Sequence, residues 1–311
     1  MKLIRGLTAN PLFKHGSVVT VGNFDGLHSG HVALIDKVVS IAKEQGLTSV
    51  LLTFEPKPWQ FFARESRFRL MRLKEFLSVL QATDIDAVVV LRFNETLASI
   101  SAEQFIKMVL LQFLRAKHLV LGDDFHFGKD REGNLAYLLR HQKTYSFTID
   151  NLPAETYGGQ RISSSWVREA LLAERYDLVR KLLSRSYTIS GRVVKGRQLG
   201  RELGFPTANI EYFGKHVPLH GVYAVQVNVD GAVYPAIANV GTKPTIMSAA
   251  GKKILEVHIP GYSSDLYGKY LQISIIDKLR DEIKFADLDL LRAQIRDDVA
   301  RLGAALAVAG V

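Results

Sequence analysis

The first half of the chain alternates short apolar runs with segments whose apolar residues recur at helical spacing. In residues 31–45, for example, Leu34, Ile35, Val38, Val39 and Ala42 fall on one helix face. The pattern predicts strands over 17–21, 49–54, 87–91 and 118–121, and helices over 31–45, 73–82, 102–114 and 165–183. Apolar strands that alternate with helices favour a mostly parallel sheet with both faces covered.

The pattern changes after Ser186, where short runs with alternating apolar residues follow one another between glycine and proline turns. Strands are predicted over 187–194, 222–229, 232–237, 254–259 and 270–276. Asp230-Gly231 separates two of these runs, which is a strong hairpin signal. A small antiparallel barrel is expected, then one long helix from Leu288, with residues 303–311 fraying. The sequence therefore predicts two domains, 1–185 and 186–311.

Composition agrees with two globular domains. The 311 residues correspond to two domains at about 100–200 residues each. Apolar residues make up 47% and charged residues 23%, which excludes global disorder. The chain has no cysteine, which excludes disulfides, thiolate metal sites and a cysteine nucleophile. The net charge of +9 suits phosphorylated or polyanionic partners, although a solvated basic surface explains it equally well.

We expect a cytoplasmic protein with neither a membrane nor a nucleic-acid partner. Residues 1–17 interleave Lys2, Arg5, Lys14 and His15 with apolar residues, so they lack a signal-peptide core. No apolar run reaches the roughly 18–20 residues that a bilayer span needs. The sequence shows no platform of aromatic and basic residues for nucleic acid. The sequence predicts no particular oligomeric state.

A first group of motifs lies where a parallel sheet would bind a nucleotide. Residues 21–31, Val-Gly-Asn-Phe-Asp-Gly-Leu-His-Ser-Gly-His, join the first long strand to the first helix. Glycines there allow close approach of backbone to phosphate, and a helix N-terminus attracts anions. His28 and His31 could face one anion as neutral N–H donors, because a helix N-terminus disfavours the imidazolium form. The alternative is a glycine-rich turn with two surface histidines.

Two later stretches carry similar chemistry. Residues 122–128, Gly-Asp-Asp-Phe-His-Phe-Gly, follow another predicted strand. Residues 161–168, Arg-Ile-Ser-Ser-Ser-Trp-Val-Arg, place three serines at a helix start and Arg168 one turn later. Serine hydroxyls could donate to phosphate, and arginine could hold it with two parallel hydrogen bonds. Serines at this position could equally be a simple helix cap.

Together these motifs resemble the HxGH nucleotidylyltransferase superfamily, specifically its flavin-adenylating branch. Residues 53–58, Thr-Phe-Glu-Pro-Lys-Pro, are similar to a further segment of that branch, which usually has histidine where this chain has Lys57. The resemblance implies a Rossmann-like fold. It implies ATP-binding residues Gly22, Phe24, Asp25, His28, His31, Arg161, Ser163, Ser164, Ser165 and Arg168. His28, His31 and Arg168 are the expected catalytic residues. The implied flavin-binding residues are Pro56, Pro58, Asp123, Asp124 and Phe125.

The implied reaction is adenylyl transfer, in which the phosphate of FMN attacks the α-phosphate of ATP. The nucleophile is ionised at neutral pH, so no general base is required. Catalysis then consists of alignment and charge neutralisation.

A second group of motifs lies in the predicted barrel. Residues 191–200 form a loop containing glycine and lysine that is not a Walker A motif. It leads into Pro206-Thr207-Ala208-Asn209, where Thr207 and Asn209 would share one face of extended backbone. Their oxygens suit Mg²⁺ bound to ATP. Glu256 alternates with Leu255 and Val257 and could serve as a general base, or be an exposed strand carboxylate.

Residues 192–210, 239–245, 255–268 and 279–285 follow the riboflavin kinase pattern in order. That resemblance implies a six-stranded barrel with Glu256 as catalytic base and Thr207 and Asn209 as Mg-ATP ligands. Gly191, Lys195 and Gly196 are the other expected ATP-binding residues. The whole chain thus resembles prokaryotic bifunctional riboflavin kinase/FAD synthetases, which implies riboflavin, FMN and ATP as substrates. Two alternatives are a nucleotidylyltransferase whose barrel only binds flavin, and a basic flavin- or RNA-binding regulator without activity.

Overall fold

A computed structural model describes residues 1–8, 11–62, 67–196, 200, 203–211, 218–243 and 252–309. The chain divides into two compact units. The first contains residues 1–67 and 71–164, and the second contains residues 68–70 and 165–311. The helical segment 165–183 therefore packs with the second unit, whereas the sequence pattern places the domain boundary near residue 185.

The first unit is built on a six-stranded sheet in which every neighbouring pair is parallel, with the order β1-β4-β3-β2-β5-β8. Its strands are β1 (Lys2–Arg5), β2 (Ser17–Val21), β3 (Thr48–Glu55), β4 (Ala87–Arg92), β5 (Ala116–Gly122) and β8 (Thr148–Leu152). Two small hairpins lie outside this sheet: β6 (His126–Phe127) with β7 (Gly133–Asn134), and β9 (Thr156–Tyr157) with β10 (Gln160–Arg161). The predicted parallel sheet is confirmed.

Helices cover both faces of this sheet. The helices of this unit are α1 (Ser29–Gln45), α2 (Pro58–Phe61), α3 (Leu73–Leu80), α4 (Glu95–Ser99), α5 (Ala102–Gln104) and α6 (Leu135–Tyr145). The helix α5 continues as π-helical turns through Phe105–Phe113, and short 3₁₀ turns occupy Pro11–Phe13 and Lys129–Arg131. Successive strand residues point to opposite faces, so Val18 packs in one buried cluster and Val19 in the other.

The single helix predicted over 165–183 is wrong. The structure has two helices, α7 (Ser164–Leu172) and α8 (Tyr176–Leu183). Glu174 lies between them with a φ of 56°, in the left-handed region that an α-helix does not contain. The Arg175 amide donates to the Ala170 carbonyl at 2.9 Å, which closes the first helix. Apolar periodicity continues across this break, which is why the sequence pattern did not show it.

The second unit contains a closed six-stranded barrel with the order β11-β12-β15-β14-β13-β16 and antiparallel neighbours. The strands are β11 (Tyr187–Val194), β12 (Ala208–Glu211), β13 (Gly221–Val229), β14 (Ala232–Lys243), β15 (Lys252–His258) and β16 (Tyr270–Arg280). The turn of the predicted hairpin is confirmed, since β13 ends at Val229 and β14 begins at Ala232.

The closing helix α9 (Leu288–Ala309) packs on the outside of this barrel. Leu302 is buried in a cluster with Val222, Ile237 and Ile276, and Leu306 packs against the same cluster. The expected fraying from residue 303 is therefore wrong for residues 303–309, which continue the helix because its last turns still contact the barrel. Residues 310 and 311 lie outside the described part of the chain.

A buried ion pair attaches α9 to β16. Arg280 binds the Asp298 carboxylate through Nε at 2.9 Å and Nη2 at 2.7 Å, and the Asp298 side chain is only 2% exposed. Replacing Arg280 by methionine leaves this carboxylate buried without its cation. We expect the variant to lose about 3–5 kcal/mol of unfolding free energy in urea denaturation. Asp289→Asn, which removes an exposed ion pair with Arg292 on the same helix, should cost less than about 1 kcal/mol. Equal effects of the two variants would contradict the assignment.

Candidate functional site

The chain order of the parallel sheet reverses at β2, whose neighbours β3 and β5 lie on opposite sides of it. In such sheets, ligands bind beyond the carboxyl ends of the strands at this switch point. Residues 22–28 follow β2, and residues 123–125 follow β5. The fold thus places two of the three motifs of the first group at the position where an open parallel sheet forms a binding crevice.

The two histidines of the first motif lie against each other at the start of α1. Their ring centroids are 3.6 Å apart with an interplanar angle of 20°, and Phe24 packs edge-on against His31 at 5.1 Å. His28 is the N-cap residue of α1, and its side chain makes no capping bond to the helix. The imidazoles are therefore stacked beside the helix N-terminus, where an anion is favoured.

The loop that carries these histidines has an unusual backbone. Phe24 and Leu27 both have positive φ, 49° and 44°, although neither is glycine, and Gly26 between them has a φ of 89°. Phe24, Asp25 and Leu27 are nearly fully buried, which holds the backbone in this conformation. Non-glycine residues in this region cost about 1–3 kcal/mol each and persist only where surrounding packing fixes them.

Ser164 connects the serine motif to the histidine loop. Its hydroxyl donates to the Asp25 carbonyl at 2.8 Å across 139 positions of sequence. Ser163 precedes it in the first unit, whereas Ser165 and Arg168 belong to the second unit. Arg168 is buried, and its Nε donates to the Phe68 carbonyl at 2.8 Å within that unit. The structure thus joins Ser164 directly to the histidine loop.

The Asp-Asp-Phe motif after β5 is held by its neighbours. Asp123 accepts from the Asn151 amide at 2.6 Å, and Asp124 pairs with Arg161 at 2.9 Å. Arg161 and Asp124 come from different motifs, and both are largely exposed. Phe125 is half-buried and stacks on Phe127 with the ring centroids 5.3 Å apart. Asp124, which is predicted to bind flavin, therefore forms an ion pair with Arg161, which is predicted to bind ATP.

A cluster of aromatic rings includes residues on both sides of the Pro56-Lys57-Pro58 turn. Phe54, Phe61, Phe62 and Phe93 pack edge-to-face at centroid distances of 5.3–5.8 Å, and Phe62 is exposed. Sequence analysis did not assign these phenylalanines to the site. The signal available was the pair Phe61-Phe62 shortly after the proline turn.

Lys57, which replaces the usual histidine, is almost completely buried. Its Nζ donates to the Thr53 hydroxyl at 2.9 Å and lies 5.4 Å from the centre of the Phe76 ring. The Thr53 hydroxyl in turn donates to the Asn23 carbonyl at 3.3 Å. Lys57 therefore contacts the histidine loop through Thr53.

In the barrel, three polar side chains lie opposite one another on adjacent strands. Asn209 on β12 pairs with Glu256 on β15, and Glu256 pairs with Asn239 on β14. Directly opposed residues of antiparallel strands have Cβ atoms about 4.5–5.5 Å apart. The neighbours Leu255 and Val257 are buried, so the three polar residues lie on the outward face of the barrel. The predicted base and one predicted ATP ligand are thus brought together.

The glycine-containing loop approaches the same residues. A Cβ on Gly196 would collide with the Asn209 side chain, and one on Gly200 would lie 3.2 Å from the Thr207 hydroxyl. Thr207 and Asn209 are half-buried, and Lys195 is exposed. Gly191 lies within β11, where a Cβ would meet Ile210 Cγ2 at 2.5 Å, so its lack of a side chain serves strand packing. Residues 197–199, 201, 202, 244 and 245 of the kinase-like motifs lie outside the described residues.

Sequence analysis assigned no role to Asn239 and Glu282. The Asn239 amide nitrogen donates to Glu282 Oε1 at 3.2 Å, and Glu282 Oε2 lies 3.5 Å from His220 Nδ1. Asn239 belongs to a motif recognised in the sequence, but only the strand register shows that it faces Glu256.

Known proteins resemble this chain in both halves. The FAD synthetase family model matches residues 11–166, and the riboflavin kinase family model matches residues 183–306. A bifunctional riboflavin kinase/FMN adenylyltransferase of Pseudomonas fluorescens is 40% identical over 96% of each chain. Its counterpart in Escherichia coli K12 is 41% identical, also over 96% of each chain. The chain belongs to the bifunctional riboflavin kinase/FMN adenylyltransferase family.

Members of this family phosphorylate riboflavin to FMN and adenylylate FMN to FAD, and the two family models occur here in the expected order. The chain is a bifunctional transferase of FAD synthesis. The expectations of a nucleotidylyltransferase-type first domain and a riboflavin kinase-type barrel are confirmed. The chain therefore has neither of the two alternative functions considered from the sequence.

A solved structure from Streptococcus pneumoniae, described as a macrolide-efflux protein, shares the fold of this bifunctional family. It has a TM-score of 0.84 and 28% identity, over 97% of this chain and 99% of that one. Within the described residues of this chain, every helix is too short or too polar to cross a membrane.

Proposed function

We propose that Glu256 is the general base of riboflavin phosphorylation. The observation that carries this proposal is the register that sets Glu256 directly opposite Asn209, beside Gly196. Glu256 would take the proton of the riboflavin 5′-hydroxyl while the 5′-oxygen of riboflavin forms a bond to the γ-phosphorus of ATP. The bond from that phosphorus to the β–γ bridging oxygen breaks, and ADP leaves.

The donor set at this site fits magnesium carried by ATP. The Thr207 hydroxyl and the Asn209 amide offer neutral oxygens, and the described residues contain no group of three or more acidic, histidine or cysteine side chains that could cage a metal. Magnesium typically takes one or two protein ligands and completes its shell with phosphate and water oxygens. Thr207 and Asn209 would hold it, and it would neutralise charge on the phosphates. Gly191, Lys195 and Gly196 remain the proposed phosphate-binding residues around them.

Gly196 offers a direct test of this arrangement. In Gly196→Ala, the added methyl group would displace the Asn209 side chain. We expect riboflavin phosphorylation to fall on the order of tenfold to a hundredfold, because small displacements of positioning groups have effects of this size. Gly303→Ala adds the same methyl group at a helical position where no other part of the protein lies within 4 Å of it, and it should leave the rate unchanged. A normal rate in Gly196→Ala would contradict the proposal.

We propose that His28, His31 and Ser164 bind the phosphates of ATP during FMN adenylylation. The stacked imidazoles at the N-terminus of α1 and the bond from Ser164 to the Asp25 carbonyl support this assignment. An oxygen of the FMN phosphate forms a bond to the α-phosphorus, the bond to the α–β bridging oxygen breaks, and pyrophosphate leaves. Gly22, Phe24, Asp25, Arg161 and Ser163 complete the proposed set within the first unit. Ser165 and Arg168, the latter also as a catalytic residue, are proposed from the sequence motif alone.

Flavin binding in the first unit is proposed at Pro56, Pro58, Asp123, Asp124 and Phe125. The exposed ring of Phe62 and the ring cluster behind it extend this set, because aromatic faces stack on planar ring systems. Lys57 is proposed to support the histidine loop through Thr53.

The two activities are proposed to belong to residues 1–185 and 186–311. The ranges matched by the family models, 11–166 and 183–306, support this division. We propose a cytoplasmic location because both reactions consume ATP. The proposed ligands are riboflavin, FMN and ATP, with neither a nucleic acid nor a membrane as partner.

A further inference from the structure

We propose that Asn239, oriented by Glu282, binds the riboflavin hydroxyl next to the one that is phosphorylated. The proposal rests on the placement of riboflavin phosphorylation at Glu256. It adds a specificity-determining residue, Asn239, and a positioning residue, Glu282, on the outward face of the barrel.

The first step is the location of Asn239. It lies directly opposite Glu256 across the β14–β15 pair, on the side away from Asn209. Glu256 is thus flanked by a proposed ATP-side residue on one strand and by Asn239 on the other. Asn239 is thus a polar residue without an assigned role that the strand register sets beside Glu256.

The second step is the orientation of the Asn239 amide. An ionised carboxylate accepts hydrogen bonds and cannot donate them, so the amide group that faces Glu282 must be the NH₂. It donates to Glu282 Oε1 at 3.2 Å. The carbonyl oxygen Oδ1 is then fixed on the other side of the amide. Glu282 therefore determines that the carbonyl end of the Asn239 amide faces away from Glu282.

The third step is the state of that oxygen. Asn239 Oδ1 is inaccessible to solvent and accepts no hydrogen bond from the residues that the structure describes. A buried acceptor without a donor is costly because it has lost its hydrogen bonds to water, so such atoms in native proteins call for an explanation. A substrate hydroxyl that enters the site and reaches this oxygen as the side chains around it adjust would supply the missing donor.

The surroundings are built to hold Glu282. Gly241 lies two positions after Asn239, and a Cβ there would collide with the Glu282 carboxylate. His220 Nδ1 lies 3.5 Å from its other oxygen. His220 is itself held by Tyr223, whose hydroxyl donates to the His220 carbonyl and accepts from its amide, both at 2.9 Å. Burial raises the pKa of the Tyr223 phenol, which keeps the donating proton in place.

The chemistry of the ligand follows from this arrangement. The ribityl chain is a polyol, and the hydroxyl at its 4′ carbon neighbours the 5′-hydroxyl that Glu256 would deprotonate. Adjacent hydroxyls of a polyol can reach two side chains on neighbouring strands. A site that pairs a buried acceptor with a substrate hydroxyl discriminates against an analogue that lacks it, because the acceptor is left without a donor.

The test compares riboflavin with 4′-deoxyriboflavin as kinase substrates. In the unmodified protein, kcat/KM for riboflavin should exceed kcat/KM for 4′-deoxyriboflavin by on the order of tenfold. Asn239→Leu removes the acceptor, so its ratio of the two kcat/KM values should fall close to one. Gln226→Leu removes an amide from another half-buried position on the same barrel and should keep the full ratio.

Glu282→Gln gives a second, milder variant. It keeps the shape of the side chain but lets the Asn239 amide turn over, so its ratio should also fall while both substrates are still phosphorylated. A full ratio in Glu282→Gln or in Asn239→Leu would overturn the proposal, as would a ratio of one in the unmodified protein. None of these ratios depends on whether Glu256 is the base, which is tested separately by its own substitution.

Discussion

Glu256→Gln is expected to slow riboflavin phosphorylation by a factor of about 10²–10⁴ while FMN adenylylation continues at its normal rate. Glutamine keeps the size of the side chain and a hydrogen-bonding oxygen opposite Asn209, but it cannot accept the proton of the 5′-hydroxyl. The loss should appear mainly in kcat, because the amide still occupies the position of the carboxylate. The measurement is FMN formed from riboflavin and Mg-ATP, separated by chromatography.

Glu211→Gln provides the matched control for this variant. Glu211 lies two positions after Asn209 on the same strand and is also half-buried, and its register partner is Arg192. The Glu211→Gln variant should phosphorylate riboflavin at the normal rate. If Glu256→Gln retained kinase turnover within a few fold of the unmodified protein, Glu256 would not be the base.

The double variant His28→Ala with His31→Ala is expected to slow FMN adenylylation by at least about 10²–10³, since removal of a single positioned donor to a transition-state oxyanion has an effect of this size. Adenylylation requires no proton transfer, so the loss reflects lost alignment and charge stabilisation. Riboflavin phosphorylation by the same preparation should be unchanged, which would show that the variant is folded and that its concentration is correct. The measurement is FAD formed from added FMN and Mg-ATP.

Two further variants make this result specific. His15→Ala removes an exposed histidine of the same unit and should leave FAD formation unchanged. His28→Asn with His31→Asn returns an N–H donor to each position and should recover part of the lost rate. Undiminished FAD formation in the double alanine variant would remove both histidines from the proposed site.

The local motifs allowed much of this molecule to be predicted. The β-branched run from Ser17 to Val21 predicts a strand, and the glycine-containing segment from Gly22 to His31 predicts a turn that opens a helix. The structure has β2 over the first of these and begins α1 at Ser29. The Asp230-Gly231 pair fixes a hairpin because few residues tolerate its backbone conformation. Such features depend on a few neighbouring residues, so the local sequence is enough to predict them.

Other features depend on distant contacts and could not be predicted. The break at Glu174 interrupts a continuous apolar pattern, and the last turns of α9 persist because Leu306 packs on the barrel. Asn239 and Glu256 are neighbours only through the register of β14 and β15. Glu282 reaches Asn239 across 43 positions of sequence. The last two relations follow from the closed barrel, and a pattern along the chain does not contain them.

The central claim is that one chain performs two reactions at two separate sites. It is tested most directly by mixing Glu256→Gln with the His28→Ala, His31→Ala variant and supplying riboflavin and Mg-ATP. Alone, the first should form almost no FMN, and the second should form FMN but almost no FAD. The mixture should form FAD, because FMN released by one variant is the substrate of the other. If each variant retained its own half-reaction but the mixture formed no FAD, or if either substitution abolished both reactions, the claim would be contradicted.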